Sequence, residues 1–252
     1  MKRLRIFYAG DIHGSDICFK KFLNSRQVYG ADVLILGGDI TGKAVVPIIE
    51  EKGAWTAHFH GQDVRCGSES EVGTFEETVR HNGFYPYRTT HSEVREIETS
   101  DEKLRSVFVD VVSSQMTRWM ALADERLDGS GVRCFIMPGN DDDFCVDPLL
   151  GKATTVCNPD GRVVEIGDGH DMISGAFSNT TPWHSAREWQ EDRIAGELDR
   201  MMSGVRDPSQ TIFNIHVPPR GTGIDTVQQV DSELRPVFQG GHPVQIPAGR
   251  FS

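Results

Sequence analysis

Leu4-Arg5-Ile6-Phe7-Tyr8-Ala9-Gly10-Asp11-Ile12-His13 sets how the chain begins to fold. The six residues from Leu4 are rich in β-favouring side chains and stop at Gly10-Asp11, as a strand ends at a turn. Beyond Ser15, apolar residues recur at Ile17, Phe19, Phe22 and Leu23, a roughly helical spacing. A second run, Val33-Leu34-Ile35-Leu36, follows and stops at Gly37-Gly38-Asp39. An unbroken apolar run of this length suits a strand buried on both faces of a sheet. Strand, helix and strand make a βαβ unit and point to an α/β fold.

Further along, residues 51–103 change in texture. Polar and charged clusters surround one short strand candidate, Thr56 to His60, and this stretch reads as an insertion over the core. A long helix is predicted next, since Leu104, Phe108, Val111, Val112, Met116, Trp119, Met120, Ala123 and Leu127 recur every three or four residues, with Gly129 as a stop. Val132 to Met137 then reads as a strand ending at Pro138-Gly139-Asn140-Asp141. Two short β runs flank Gly167-Asp168-Gly169 as a hairpin. A helix is expected near Ala186 to Met202, and a strand from Thr211 to Ile215 that runs into His216 and Pro218-Pro219. The organisation expected is one domain over 1–252 with an insertion at about 51–103.

Composition narrows the functional classes. Hydrophobic residues make up 38% and charged residues 25% of the 252 positions, and no apolar run approaches the roughly 20 residues of a membrane span. Neither a membrane protein nor a secretory leader is indicated, and a cytoplasmic location is expected. The formal charge of -11 argues against a nucleic-acid partner, which calls for a basic patch. A small anionic substrate would need local positive charge, for which bound metal ions are a natural source. Homo-oligomerisation stays open. The five scattered cysteines, Cys18, Cys66, Cys134, Cys145 and Cys157, contain no Cys-x-x-Cys pair and suggest neither a disulfide framework nor a zinc knuckle.

The chemistry gathers at the strand ends. In open α/β sheets, ligands bind beyond the carboxyl ends of the strands, and Asp11, His13, Asp39, Asn140 and His216 all hold that position. Carboxylate, amide oxygen and imidazole suit divalent manganese, iron, zinc or nickel. A carboxylate can bridge two ions about 3.5–4 Å apart, and Asp39 is the natural bridge. Each element alone has a plainer reading. Asp11 could cap the following helix, Gly38-Asp39 could be turn chemistry, Asn140 to Asp143 could be an acidic loop, and His216 could simply pack. Their ordered joint occurrence favours a site.

Asp11-Ile12-His13, Gly38-Asp39, Gly139-Asn140-Asp141-Asp142 and His216 together resemble the motifs of the calcineurin-like metallophosphoesterase superfamily, in order and up to about residue 219. The resemblance implies a four-layer αββα sandwich of two mixed β-sheets flanked by helices. It also implies a phosphodiester or phosphomonoester hydrolase that acts by metal-bound hydroxide at a dinuclear centre. One ion would take Asp11, His13 and Asp39, and the other Asp39, Asn140 and His216. Asn140 and Asp141 would be the catalytic pair. The sequence departs from the family twice. Asp141 stands where the family has a histidine, and no Gly-His-x-His follows His216; His242 lacks a partner two residues on. The expectation is a centre short of two ligands and a chain without its closing segment. The competing expectation is an inactive binding or scaffold protein that keeps the fold. His58 and His60, alternating on one candidate strand, are expected to be insertion or surface residues, since a zinc site needs three or four protein ligands.

Overall fold

In the computed structural model, which describes residues 3–247, β1 (Ile6–Ala9) and β2 (Val33–Gly37) pair in parallel from Ile6↔Val33 to Ala9↔Leu36. They are joined by α1 (Asp16–Tyr29), which completes the expected βαβ unit. Every residue of β2 is buried. Ser15, rather than Asp11, caps α1, its hydroxyl accepting the Cys18 N–H at 3.4 Å, and Gly30 closes the helix at φ 61°. The plainer role for Asp11 is thus already filled by another residue.

The chain divides into two compact units. The first runs up to Ile136 and includes Phe144–Asn158; the second takes Met137–Asp143 and the chain from Pro159 onward. Both mix helices with sheets, an α/β protein.

In the first unit, residues 45–89 carry more β-structure than their sequence suggests. Here β3 (Val45–Glu51), β4 (Ala54–Phe59), β5 (Gln62–Cys66) and β6 (Tyr85–Thr89) form a sheet of order β5-β4-β3-β6. One strand was expected from this region, beginning at Thr56. Pro47 and Pro86 hid β3 and β6, because proline reads against a paired strand. Pro47 is tolerated because the β4 ladder covers only Ile49–Glu51 of β3, so its missing N–H removes no bond on that side. Helix α2 (Glu69–His81) packs Val72, Phe75 and Val79 against Val46, Ile48 and Ala57 of this sheet. His60 is not on a strand: it occupies the β4–β5 turn at φ 51° and packs on Phe59 and Phe84. His58 pairs instead with Asp63, Nδ1 to Oδ1 at 2.8 Å.

After α3 (His91–Thr99), α4 (Asp101–Leu127) runs along the unit. Its buried face carries Val112, Met116, Trp119, Met120, Ala123 and Leu127, whereas Leu104, expected on that face, is 46% exposed. These residues join Phe19, Phe22, Leu34, Leu36 and Ile136 in one core. The sheet is completed as β1-β2-β7-β8 by β7 (Arg133–Met137) and β8 (Val156–Cys157), with α5 (Asp147–Leu150) between them.

The second unit is built on β9 (Val163–Gly167) and β10 (His170–Gly175), an antiparallel hairpin turning at Asp168-Gly169. Both turn residues have positive φ, the geometry that matches strand twist. Next come β11 (Ser178–Asn179) and β12 (Glu188–Trp189), paired in parallel, and then α6 (Glu191–Met202). The helix starts later than expected: residues 186 and 187 form a turn and Glu188–Trp189 form β12. β13 (Thr211–Ile215) pairs in parallel with β10 and ends the order β13-β10-β9. Past residue 225, β14 (Thr226–Gln228), β15 (Phe238–Gln239), β16 (His242–Pro243) and β17 (Gln245–Pro247) form two short antiparallel pairs, β14–β17 and β15–β16. Strands of two or three residues are too short to give a period in sequence. Ala248 to Ser252, read as lacking a closing strand, lie outside the described residues. Among the described residues no helix is long and apolar enough to cross a membrane.

Candidate metal centre

The loops after β1 and β2 are zipped together by backbone bonds: Asp11 N–H to Gly38 O, His13 N–H to Asp39 O and Gly14 N–H to Ile40 O, each 2.9 Å. Parallel pairing of β1 with β2 carries this register straight into the loops. Asp11, His13 and Asp39 all adopt positive φ, at 54°, 41° and 48°. Asp and His enter this region more readily than most residues, yet each such conformation costs on the order of 1–3 kcal/mol and tends to mark functional loops. Acceptor atoms of Asp11 and Asp39 lie within 4.8 Å of each other, and His13 Nε2 is 3.8 Å from Asp39 Oδ2, too long for a hydrogen bond. His13 Nδ1 is buried without a hydrogen-bond partner, at a cost of about 1–3 kcal/mol. Two carboxylates held together, with the His13 ring reaching toward Asp39 through Nε2, suit a divalent cation. The residues present therefore fit the implied ion.

Gly14, Gly42 and Gly83 hold this loop against the end of α2. A Cβ on Gly83 would lie 2.2 Å from the His13 carbonyl oxygen, and one on Gly42 would lie 2.2 Å from the Gly83 oxygen. Gly83 also sits at φ 84°. The Ser15 hydroxyl donates to His81 O at 2.7 Å, and Gln115 Nε2 of α4 donates to Gly14 O at 2.8 Å. Gly83→Ala is expected to cost about 1–3 kcal/mol through overpacking, plus about 1–2 kcal/mol for the positive φ, as a lower urea midpoint at unchanged slope. A midpoint within error of wild type would remove this role.

Asn140 and His216 come together within the second unit. His216 follows β13, its N–H bonded to Gly175 O at 2.9 Å, and its Nε2 lies 3.0 Å from Asn140 Oδ1. Asn140 Nδ2 donates to Asp141 Oδ1 at 3.1 Å, and the Ser185 hydroxyl donates to the same oxygen at 2.6 Å. Asp142 is fully buried, its carboxylate accepting the Gly139 N–H at 2.7 Å. The Asn140–Asp143 run is therefore a built turn rather than a solvated acidic loop.

The segment from Thr181 to Glu188, given no role by its sequence, is organised around one carboxylate. Glu188 accepts the N–H of Thr181 at 2.8 Å and of Ser185 at 2.9 Å, together with the Thr181 hydroxyl. Burial raises the Glu188 pKa, but these bonds outweigh it and hold the carboxyl below the ordinary range. Arg187 is buried and reaches back, Nε to Asp142 O at 3.0 Å and its N–H to Asn140 O at 3.1 Å. Ser185 and Glu188 carried no motif, and the helix expected over 186–202 concealed Glu188. Cys134 is buried and its thiol is pushed up by burial and, less, by Cys157.

No family model matches this sequence, and no curated protein matches it. Among solved structures, one crystal-structure chain aligns with 92% of this chain and 74% of its own length at 11% identity, with a TM-score of 0.47.

Proposed function

We propose that this chain is a metal-dependent phosphoesterase acting on a small phosphodiester or phosphomonoester. Divalent ions, manganese foremost, would be held by Asp11, His13 and Asp39 of the first unit and by Asn140 and His216 of the second. The observation that carries the reading is the first of these loops: three donor residues at positive φ, locked by backbone bonds, with a buried imidazole nitrogen left unsatisfied. Bound there, divalent ions supply Lewis acidity and lower the pKa of water toward about 7. The chain's own contribution is to fix the donors before any ligand arrives. The four-layer αββα arrangement and a cytoplasmic location belong to the same reading.

Asp141 is the point of difference. Its Oδ1 accepts from both Asn140 and Ser185, so it serves as an acceptor where the resemblance has a histidine. Substrates whose leaving group departs as a stable anion are favoured. The same observation supports the second reading, a binding protein that retains phosphate or nucleotide without turnover. Chelator-stripped protein is expected to hydrolyse bis(p-nitrophenyl) phosphate only after Mn²⁺ is added, and to lose the activity again with EDTA. A rate equal to that of Mn²⁺ in buffer would leave the binding reading in its place.

A further inference from the structure

The second donor pair needs something the first does not. A carboxylate offers an oxygen whichever way it turns, but the Asn140 side chain has an acceptor end and a donor end. Only the Oδ1 end can serve a cation. That end lies 3.0 Å from His216 Nε2, while Nδ2 donates to Asp141 Oδ1. Were the amide reversed, its oxygen would meet the Asp141 oxygen, acceptor against acceptor, and its NH₂ would face the histidine.

We propose that Ser185 is a positioning residue that acts through Asp141 to hold Asn140 with its oxygen on the His216 side. The Ser185 hydroxyl bonds Asp141 Oδ1 at 2.6 Å and so holds the carboxylate where it accepts from Asn140 Nδ2. Ser185 is itself fixed by its N–H on Glu188, and the same segment is tied to the Asn140 turn through Arg187 N–H on Asn140 O and Arg187 Nε on Asp142 O. The loop and the turn are thus pinned on both sides of the amide. Asp141, where the resemblance has a histidine, is then an orienting acceptor rather than an acid. This inference rests on the proposed metal site, and it assigns the loop a role in metal affinity.

Mn²⁺ binding to the chelator-stripped full chain, followed by the electron paramagnetic resonance of the free ion, tests it without turnover. Ser185→Ala is expected to weaken Mn²⁺ binding at one site by about 10–100-fold, the usual effect of removing a partner that orients a ligand, and to leave thermal unfolding of the metal-free chain unchanged. Ser185→Thr, which keeps the hydroxyl, is expected to bind as wild type does. In an Asn140→Asp background the two oxygens are equivalent and no amide needs orienting, so adding Ser185→Ala is expected to cost nothing further. Wild-type affinity in Ser185→Ala would overturn the inference and leave the metal site standing. An equal penalty in the Asn140→Asp background would also overturn it, since the loop would then act by packing alone. If the wild-type chain binds no Mn²⁺, the metal-site reading falls and takes the inference with it.

Discussion

Asp39→Asn is expected to lower Mn²⁺-dependent hydrolysis of bis(p-nitrophenyl) phosphate by about 10³-fold, with the fold intact. The expected size follows from the several kcal/mol that a bound cation contributes to charge stabilisation, at 1.36 kcal/mol for each tenfold change in rate. The amide keeps one oxygen donor but loses the charge and the second oxygen, which are what a carboxylate brings to a cation. The substitution reads chemistry and not folding because Asn, like Asp, tolerates positive φ, and Asp39 sits at 48°. Its backbone oxygen continues to accept from His13. Measured as kcat/KM at saturating Mn²⁺ beside a thermal melt, more than a tenth of wild-type activity would defeat a metal-ion mechanism at this loop.

Asp11, His13 and Asp39 were legible because each follows a long apolar run, and the parallel register of β1 and β2 turns that linear fact into adjacency. Asn140 and His216 were legible in the same way, after β7 and β13. What was hidden depends on side-chain hydrogen bonds that leave no periodic signal, some local and some, as from Arg187 to the Asn140 turn, distant in sequence. Nothing in the run Thr181-Pro182-Trp183-His184-Ser185 announces that a carboxylate at Glu188 will gather two of its backbone N–H groups. Tertiary bonds from Arg187 and local bonds to Glu188 override the helical preference of residues 186–190. The β5-β4-β3-β6 sheet was missed for a local reason. β5 carries only Val64 and Cys66 as apolar residues, and β3 and β6 each contain a proline. Gly83 is the instructive case: its sequence surroundings suggest a helix end, yet its missing side chain matters because His13 O lies where a Cβ would be.

The support beneath the His13 loop leads to the largest expected change in stability. Trp119 of α4 is 3% exposed and stacks on Phe19 of α1 with centroids 4.2 Å apart and planes 3° from parallel. Its indole N–H donates to Asp16 Oδ1 at 2.6 Å, and one helical turn earlier Gln115 donates to Gly14 O at 2.8 Å. The same face of α4 therefore clamps both the start of α1 and the turn carrying His13. Trp119→Ala removes the stack and opens a cavity, with an expected loss of about 3–5 kcal/mol; it also takes away a donor to the Asp16 carboxylate. Trp119→Phe separates the two contributions. It retains an aromatic face for Phe19 and loses the N–H, so a smaller loss of about 1–3 kcal/mol is expected. Urea unfolding of the metal-free chain measures both. If the two variants lose equal stability, the hydrogen bond to Asp16 outweighs the stack; if the phenylalanine variant is neutral, packing alone holds α4 to the loop.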